Sequence, residues 1–206
     1  MLTIPAIYIL LLTPEVTKIR KINYSLVNVR KIYPDLIANG FYNLQNFTSG
    51  IFWVLFIFIL APEYKTIGLM QTAALLISII GFYFIGIWTD KFNRTKMLAL
   101  GSILNSFAGL LRILVSSVSG VFLINIISTS TGTLEATPWN VKIQEHLDQD
   151  ARTEYIAFFE IGGTIITLIG LAILAILFES MPLKESLVFG LIVSAISGLF
   201  INFMRK

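Results

Sequence analysis

Residues 67–114 read IGLMQTAALLISIIGFYFIGIWTDKFNRTKMLALGSILNSFAGLLRIL, and the fold turns on how this stretch is read. Two apolar runs, 67–89 and 97–116, flank a short polar loop carrying Asp90, Lys91, Asn93, Arg94 and Lys96. Crossing about 30 Å of hydrocarbon at about 1.5 Å per residue takes roughly twenty mostly apolar residues in a helix. Each run is long enough, so the stretch reads as two transmembrane helices joined by a loop. Lipid offers open backbone groups no partner, which excludes isolated strands, and the runs lack the short alternation of barrel strands.

Outward from this hairpin, four further runs qualify: 37–61, 120–141, 155–178 and 186–204. Pro62 and Glu63 close the first span, Asp90 and Lys91 the second, and Glu179 to Pro182 the fifth. The expectation is an all-α integral membrane protein whose six-helix transmembrane domain occupies 37–206. Composition agrees, since 13% of the 206 residues are charged where soluble domains carry about a quarter. Mean hydropathy is +0.82. The chain has no Cys and a single His, His146, which argues against disulfides, thiolate chemistry, His-based triads and multi-His metal sites. No G-x-S-x-G, H-E-x-x-H or Walker-type loop occurs. We therefore expect no enzyme, no cofactor and no metal. A net charge of +3 is too small to suggest nucleic acid.

Residues 1–12 are apolar, too short to span, and interrupted by Pro5, so they read as a stub ending a preceding helix. Residues 13–36 open with Thr13-Pro14 and repeat apolar residues at Val16, Ile19, Ile22, Leu26, Val29 and Tyr33. Their basic residues lie mostly off that stripe, which predicts an amphipathic helix at the membrane surface. Twelve of the fifteen Lys and Arg residues fall on one side, in 13–36, the 90–96 loop, the 142–154 loop and the C-terminus. The other side holds Lys65, Arg112 and Lys184. By the positive-inside rule the first side is expected to be cytoplasmic, with the protein in the cell (plasma) membrane.

The loop Gly86-Ile87-Trp88-Thr89-Asp90-Lys91-Phe92-Asn93-Arg94-Thr95-Lys96 resembles the signature of the major facilitator superfamily. That signature is a Gly, three residues, Asp, a basic residue, a spacer, a second Gly, then Arg and further basic residues. Trp88 stands for the usual Leu and Asn93 for the second Gly. Here Gly86 is expected to let helices approach closely, and Asn93 to take the left-handed conformation of a tight reversal. Glu145 and Arg152, seven residues apart, resemble the loop between the family's fourth and fifth helices. The resemblance implies a cytoplasmic charge network of Asp90, Arg94, Glu145 and Arg152, and transport of a small solute by alternating access. It implies that the first, second, fourth and fifth helices line the pathway while the third and sixth face lipid.

The resemblance covers about residues 10–206, but as one half of a twelve-helix protein. Residues 13–34 resemble the connector between halves, so the chain would be the C-terminal half. Its partners would be membrane lipid, an unknown small solute, and an N-terminal six-helix half or a second copy. The alternatives are a non-transporting scaffold or sensor on this fold, and a half-size subunit acting as a homodimer.

Two spans carry dense polar content: Tyr42, Asn43, Gln45, Asn46, Thr48 and Ser49 in the first, and Asn125, Ser128, Thr129, Thr131, Thr133 and Glu135 in the fourth. Glu135 lies about 9 Å inside its span by helical rise. Ionisable groups there are costly and usually functional. Glu135, Asn43, Asn46, Thr131 and Glu160 are the candidate substrate or proton site, with an ion pair from Glu135 to Arg94 as the structural alternative. Trp139 is expected to anchor at the headgroups, and Arg112 to snorkel to the outer headgroups. Gly109, Gly162, Gly163 and Gly170 are expected to allow close helix packing.

Overall fold

A computed structural model describes residues 29–60, 63–149 and 152–204. The 1–12 run and residues 13–28 of the amphipathic segment lie outside the described residues. Six long helices follow in order, and no strand occurs among the described residues. They are α1 (Val29–Leu60), α2 (Tyr64–Lys91), α3 (Arg94–Leu111), α4 (Val118–Gln149), α5 (Arg152–Phe178) and α6 (Leu183–Phe200). One 3₁₀ turn, Arg112–Leu114, ends α3, and another, Ile201–Phe203, ends α6.

The punctuation read from the sequence holds at three joints, where helices end at Leu60, Lys91 and Phe178. Elsewhere the helices outrun their apolar segments. The first begins at Val29 and passes through Pro34. The expected 142–154 loop is helical to Gln149 and again from Arg152. Five of the six helices are long and apolar enough to cross a membrane; α4 is the one too polar to qualify. Its polar residues nevertheless turn inward, with Asn125, Ser128, Thr133 and Glu135 buried. Average hydropathy describes a helix by content, whereas insertion depends on which face meets lipid.

The packing follows one pattern. α1 lies along α5 and α6, α4 lies along α2 and α3, and α3 packs on α6. Exchanging the triplet α1–α2–α3 with α4–α5–α6 leaves that pattern unchanged. Because each triplet has an odd number of spans, the two run in opposite directions, an inverted repeat. The most peripheral helices are α2 and α5: 17% and 11% of their apolar windows are buried, against 50% for α6. α6 is the most buried of the five helices with apolar windows, at 50%. α6 is wedged between α1 and α3, where Gly190 and Gly198 let Phe52, Gln45 and Ser106 come close.

Two apolar clusters occupy the two ends of the bundle. Near the basic end lie Ile32, Ala38, Leu98, Trp139, Tyr155 and Phe159. Near the opposite end lie Trp53, Phe56, Ile57, Met70, Ile124 and Leu191. Trp139 is 2% exposed and stacks on Tyr42 with ring centroids 4.6 Å apart, so it is a core residue and not a headgroup anchor. Of the glycines expected in helix contacts, Gly162, Gly163 and Gly170 of α5 face Leu36, Asn39 and Leu44 of α1, and Gly109 faces Ala195 of α6. Gly86 is different. Nothing lies within 4 Å of where its side chain would be, so it makes no close helix approach in this chain.

Candidate functional site

Between the two apolar clusters runs a polar seam contributed by α1, α3 and α4. Its first tier is centred on Glu135 of α4, which is 2% exposed. Gln45 Nε2 of α1 donates to Glu135 Oε2 at 3.3 Å. Asn105 Nδ2 of α3 donates to the same oxygen in a short contact. Thr131 Oγ1, one turn from Glu135, donates to Asn105 Oδ1 at 3.3 Å, so Asn105 links it to the carboxylate. Glu135 Oε1, Gln45 Oε1 and Ser106 Oγ are buried with no hydrogen-bond partner.

The chain reaches this arrangement because α3 and α4 touch at Gly101. A β-carbon there would stand 2.6 Å from the Leu134 carbonyl oxygen and 2.7 Å from the Glu135 backbone. From α6, Ser194 Oγ donates to the Gln45 carbonyl at 2.9 Å, which holds α1 against the seam. Two charge-assisted amide bonds contribute on the order of 1.5–3 kcal/mol each. An ionised carboxylate loses more than that on leaving water unless it is paired. Both bonds come from neutral amides, and no cation is bonded to Glu135 among the described residues.

The second tier is centred on Arg112 at the C-terminal end of α3. Its Nε donates to Ser128 Oγ of α4 at 3.2 Å, and its Nη1 makes a short bond to Ser49 Oγ of α1. The guanidinium carbon lies 5.0 Å from the centre of the Trp53 ring, a cation–π placement. Trp53 Nε1 in turn donates to Asn125 Oδ1 at 3.2 Å. Arg112 is thus half-buried and turned into the bundle, not snorkelled outward to the headgroups. Hydroxyls and an indole face hold it where water would otherwise be needed.

Of the residues the sequence suggested for the substrate or proton site, Glu135 and Thr131 are brought together. Asn43 is half-buried and Asn46 exposed; Gln45, on the face between them, takes the place expected for either. Glu160 is exposed and belongs to neither tier. Thr167, also of α5, donates to the Gly40 carbonyl at 3.1 Å. Asn105 had no signal beyond being one more amide in an apolar helix, and only its partner reveals it.

At the basic end, Arg94 and Glu145 form a close ion pair with side chains 37% and 40% exposed. Asp90 and Arg152 are exposed and make no side-chain bond among the described residues, so only half of the expected network is joined here. Lys91 and Lys96 are exposed. Asn93 departs from the expected left-handed turn. Its φ of −64° is ordinary, and its side chain caps α3 by accepting from the Lys96 amide at 3.1 Å, so the reversal uses a cap instead. Glu135 has no contact with Arg94, which removes that ion pair. A further cluster went unsuspected: wholly buried Asp35 accepts from Tyr155 Oη at 2.9 Å and lies 3.2 Å from His146 Nδ1. It ties together the ends of α1, α4 and α5. Asp35 lies more than a hundred positions from the other two, so no local pattern announces it.

The sequence model of the Major Facilitator Superfamily matches residues 38–206. No curated protein and no solved structure matches the chain. The apolar helices, the polar seam they enclose and a match over most of the length lead to one conclusion: this multi-pass membrane protein belongs to the major facilitator superfamily, whose members are transporters.

Proposed function

We propose that the chain is one six-helix half of a secondary active transporter that moves a small solute by alternating access, with Glu135 as its coupling or substrate-binding carboxylate. The observation that carries this reading is the Glu135 tier: an acid buried at the meeting of three membrane helices, bonded only to neutral amides. Such groups in membranes mark ion and substrate routes. The exposed apolar faces of α2 and α5 are the surfaces on which a second six-helix body, an N-terminal half or a second copy, would pack and rock. The basic end, with Lys91, Arg94 and Lys96, faces the cytoplasm of the cell membrane by charge asymmetry. There the Arg94–Glu145 pair is a latch weak enough, at about 0–1 kcal/mol, to break in each cycle.

The test is the full chain in proteoliposomes with an entrapped pH dye, challenged in turn with sugars, amines, amino acids and organic acids. A saturable, solute-dependent proton flux is expected, and E135Q should abolish it while leaving the helical content intact. Flux with none of these solutes would overturn transport by paired copies of this chain, and would leave a scaffold or sensor, or a requirement for an N-terminal half. Unchanged flux in E135Q would remove Glu135 from the mechanism. Because the chain has no native cysteine, K96C and K184C can be probed singly with a membrane-impermeant thiol reagent on intact cells. Only K184C should react, and labelling of K96C alone would invert the proposed orientation.

A further inference from the structure

The Arg112 tier places a cation among neutral groups. Arg112 lies within a membrane span, and no carboxylate lies within ion-pair distance of it among the described residues. A cation in this setting ordinarily pairs with an opposite charge, because hydroxyls and a ring face leave its charge unneutralised. Ser49 and Ser128 accept from the guanidinium, and each hydroxyl keeps its own proton to donate onward. Asn125 is 5% exposed, and its Nδ2 has no partner. The Trp53 indole fixes which end of that amide is which, since its N–H is spent on Asn125 Oδ1. Helical spacing puts these donors together: Ser49 and Trp53 are four residues apart on α1, and Asn125 and Ser128 three apart on α4. Arg112 reaches between the two helices.

We infer that Arg112, Ser49, Ser128 and Asn125 form a binding site for an oxyanion, a carboxylate or phosphate, and that the solute moved by this chain carries one. This deepens the transport reading and rests on it for the word solute. The site is distinct from the Glu135 tier, which lies two helical turns away along α4, about 10 Å by rise, and whose unpartnered atoms are mainly acceptors. A planar guanidinium with hydroxyl and amide donors around it matches an oxyanion in shape as well as charge. Trp53 covers one face of the guanidinium.

The experiment uses the full chain with W88F and W139F, leaving Trp53 as the fluorophore beneath Arg112, in nanodiscs of phosphatidylcholine alone. Inorganic phosphate, acetate and lactate are titrated at millimolar concentrations. A saturable change in Trp53 emission is expected with at least one of them. R112Q should weaken it about tenfold or more, the loss expected for a charge-assisted bond. R112K, which keeps the charge but not the fork, should fall between. S49A and S128A, which leave Arg112 in place, should each weaken it by a smaller factor. No saturable response, or one unchanged in a folded R112Q protein, overturns the site. A response confined to nanodiscs containing phosphatidylglycerol shows that the anion is a lipid headgroup and overturns the solute assignment. Transport of a neutral solute at full rate by R112Q likewise overturns the anionic substrate while leaving transport itself standing. Anion binding without flux would instead uphold the site and defeat transport by this chain acting alone.

Discussion

The Glu135 and Arg112 tiers use the same three helices and reach opposite characters. At the first, α1 and α3 bring amides to a carboxylate, and the atoms left over are chiefly acceptors, Glu135 Oε1 and Gln45 Oε1. At the second, α1 and α4 bring hydroxyls to a guanidinium, and the atom left over is a donor, Asn125 Nδ2. Packing differs as well. Gly101 lets α3 and α4 touch at Glu135, whereas Arg112 stands at a helix end and fills its space with a long side chain. The difference teaches that charge in this bundle is placed by where helices come close and where they end. The acid occupies a crossing where one helix meets another's backbone and the base a terminus, where a cation also meets the favourable end of the helix dipole.

The largest effect expected on this comparison comes from Gly101→Leu. A side chain there must push α3 away from the α4 backbone, and overpacking of this kind costs about 1–3 kcal/mol or more. Thermal melting in detergent should fall accordingly. Anion-induced fluorescence at Arg112 should survive in the folded fraction if the tiers are independent. Loss of both together would show that they form one unit.

Asn105→Leu comes next. It removes one donor from Glu135 Oε2 and should cost about 1.5–3 kcal/mol while the carboxylate is charged. A protonated acid needs that donor less, so the loss should be greatest at high pH and shrink as pH falls. A melting difference that does not vary with pH would mean that Glu135 holds one protonation state throughout. The smallest effect is expected outside both tiers. A double-mutant cycle on Arg94→Gln and Glu145→Gln should give about 0–1 kcal/mol, screened further by salt. A coupling of several kcal/mol would show the pair to be buried in the working protein.

Much of the outline was legible beforehand. Residues 67–114 alone imply the hairpin, since length and hydropathy are local properties and lipid permits few solutions. Glu135 was legible for the same reason, as an isolated acid in an apolar run stands out. Its partners were not. Asn43, Gln45 and Asn46 are equally polar in the sequence, and only the rotation of α1 about its own axis decides that Gln45 faces the seam. Trp139 and Arg112 were misread by the same gap. Each lies near the end of an apolar run, where a headgroup role is the ordinary one, and each is instead turned inward. Asn93 looked like a turn residue and proved to be a cap, because short polar side chains serve both purposes with the same atoms.

The sequence by itself determined that the chain is a bundle of long, largely apolar helices, and which of them carries an isolated acid. Those are questions of composition over about twenty residues, answered by the cost of placing polar groups in hydrocarbon. Only the tertiary structure decided that α6 is central and α2 and α5 peripheral, and that Asp35 meets His146. It alone revealed that one seam carries a tier around an acid and a tier around a cation. Those depend on the rotation and contact of whole helices, which arise from glycine close approaches and side-chain bonds between residues as many as 149 positions apart.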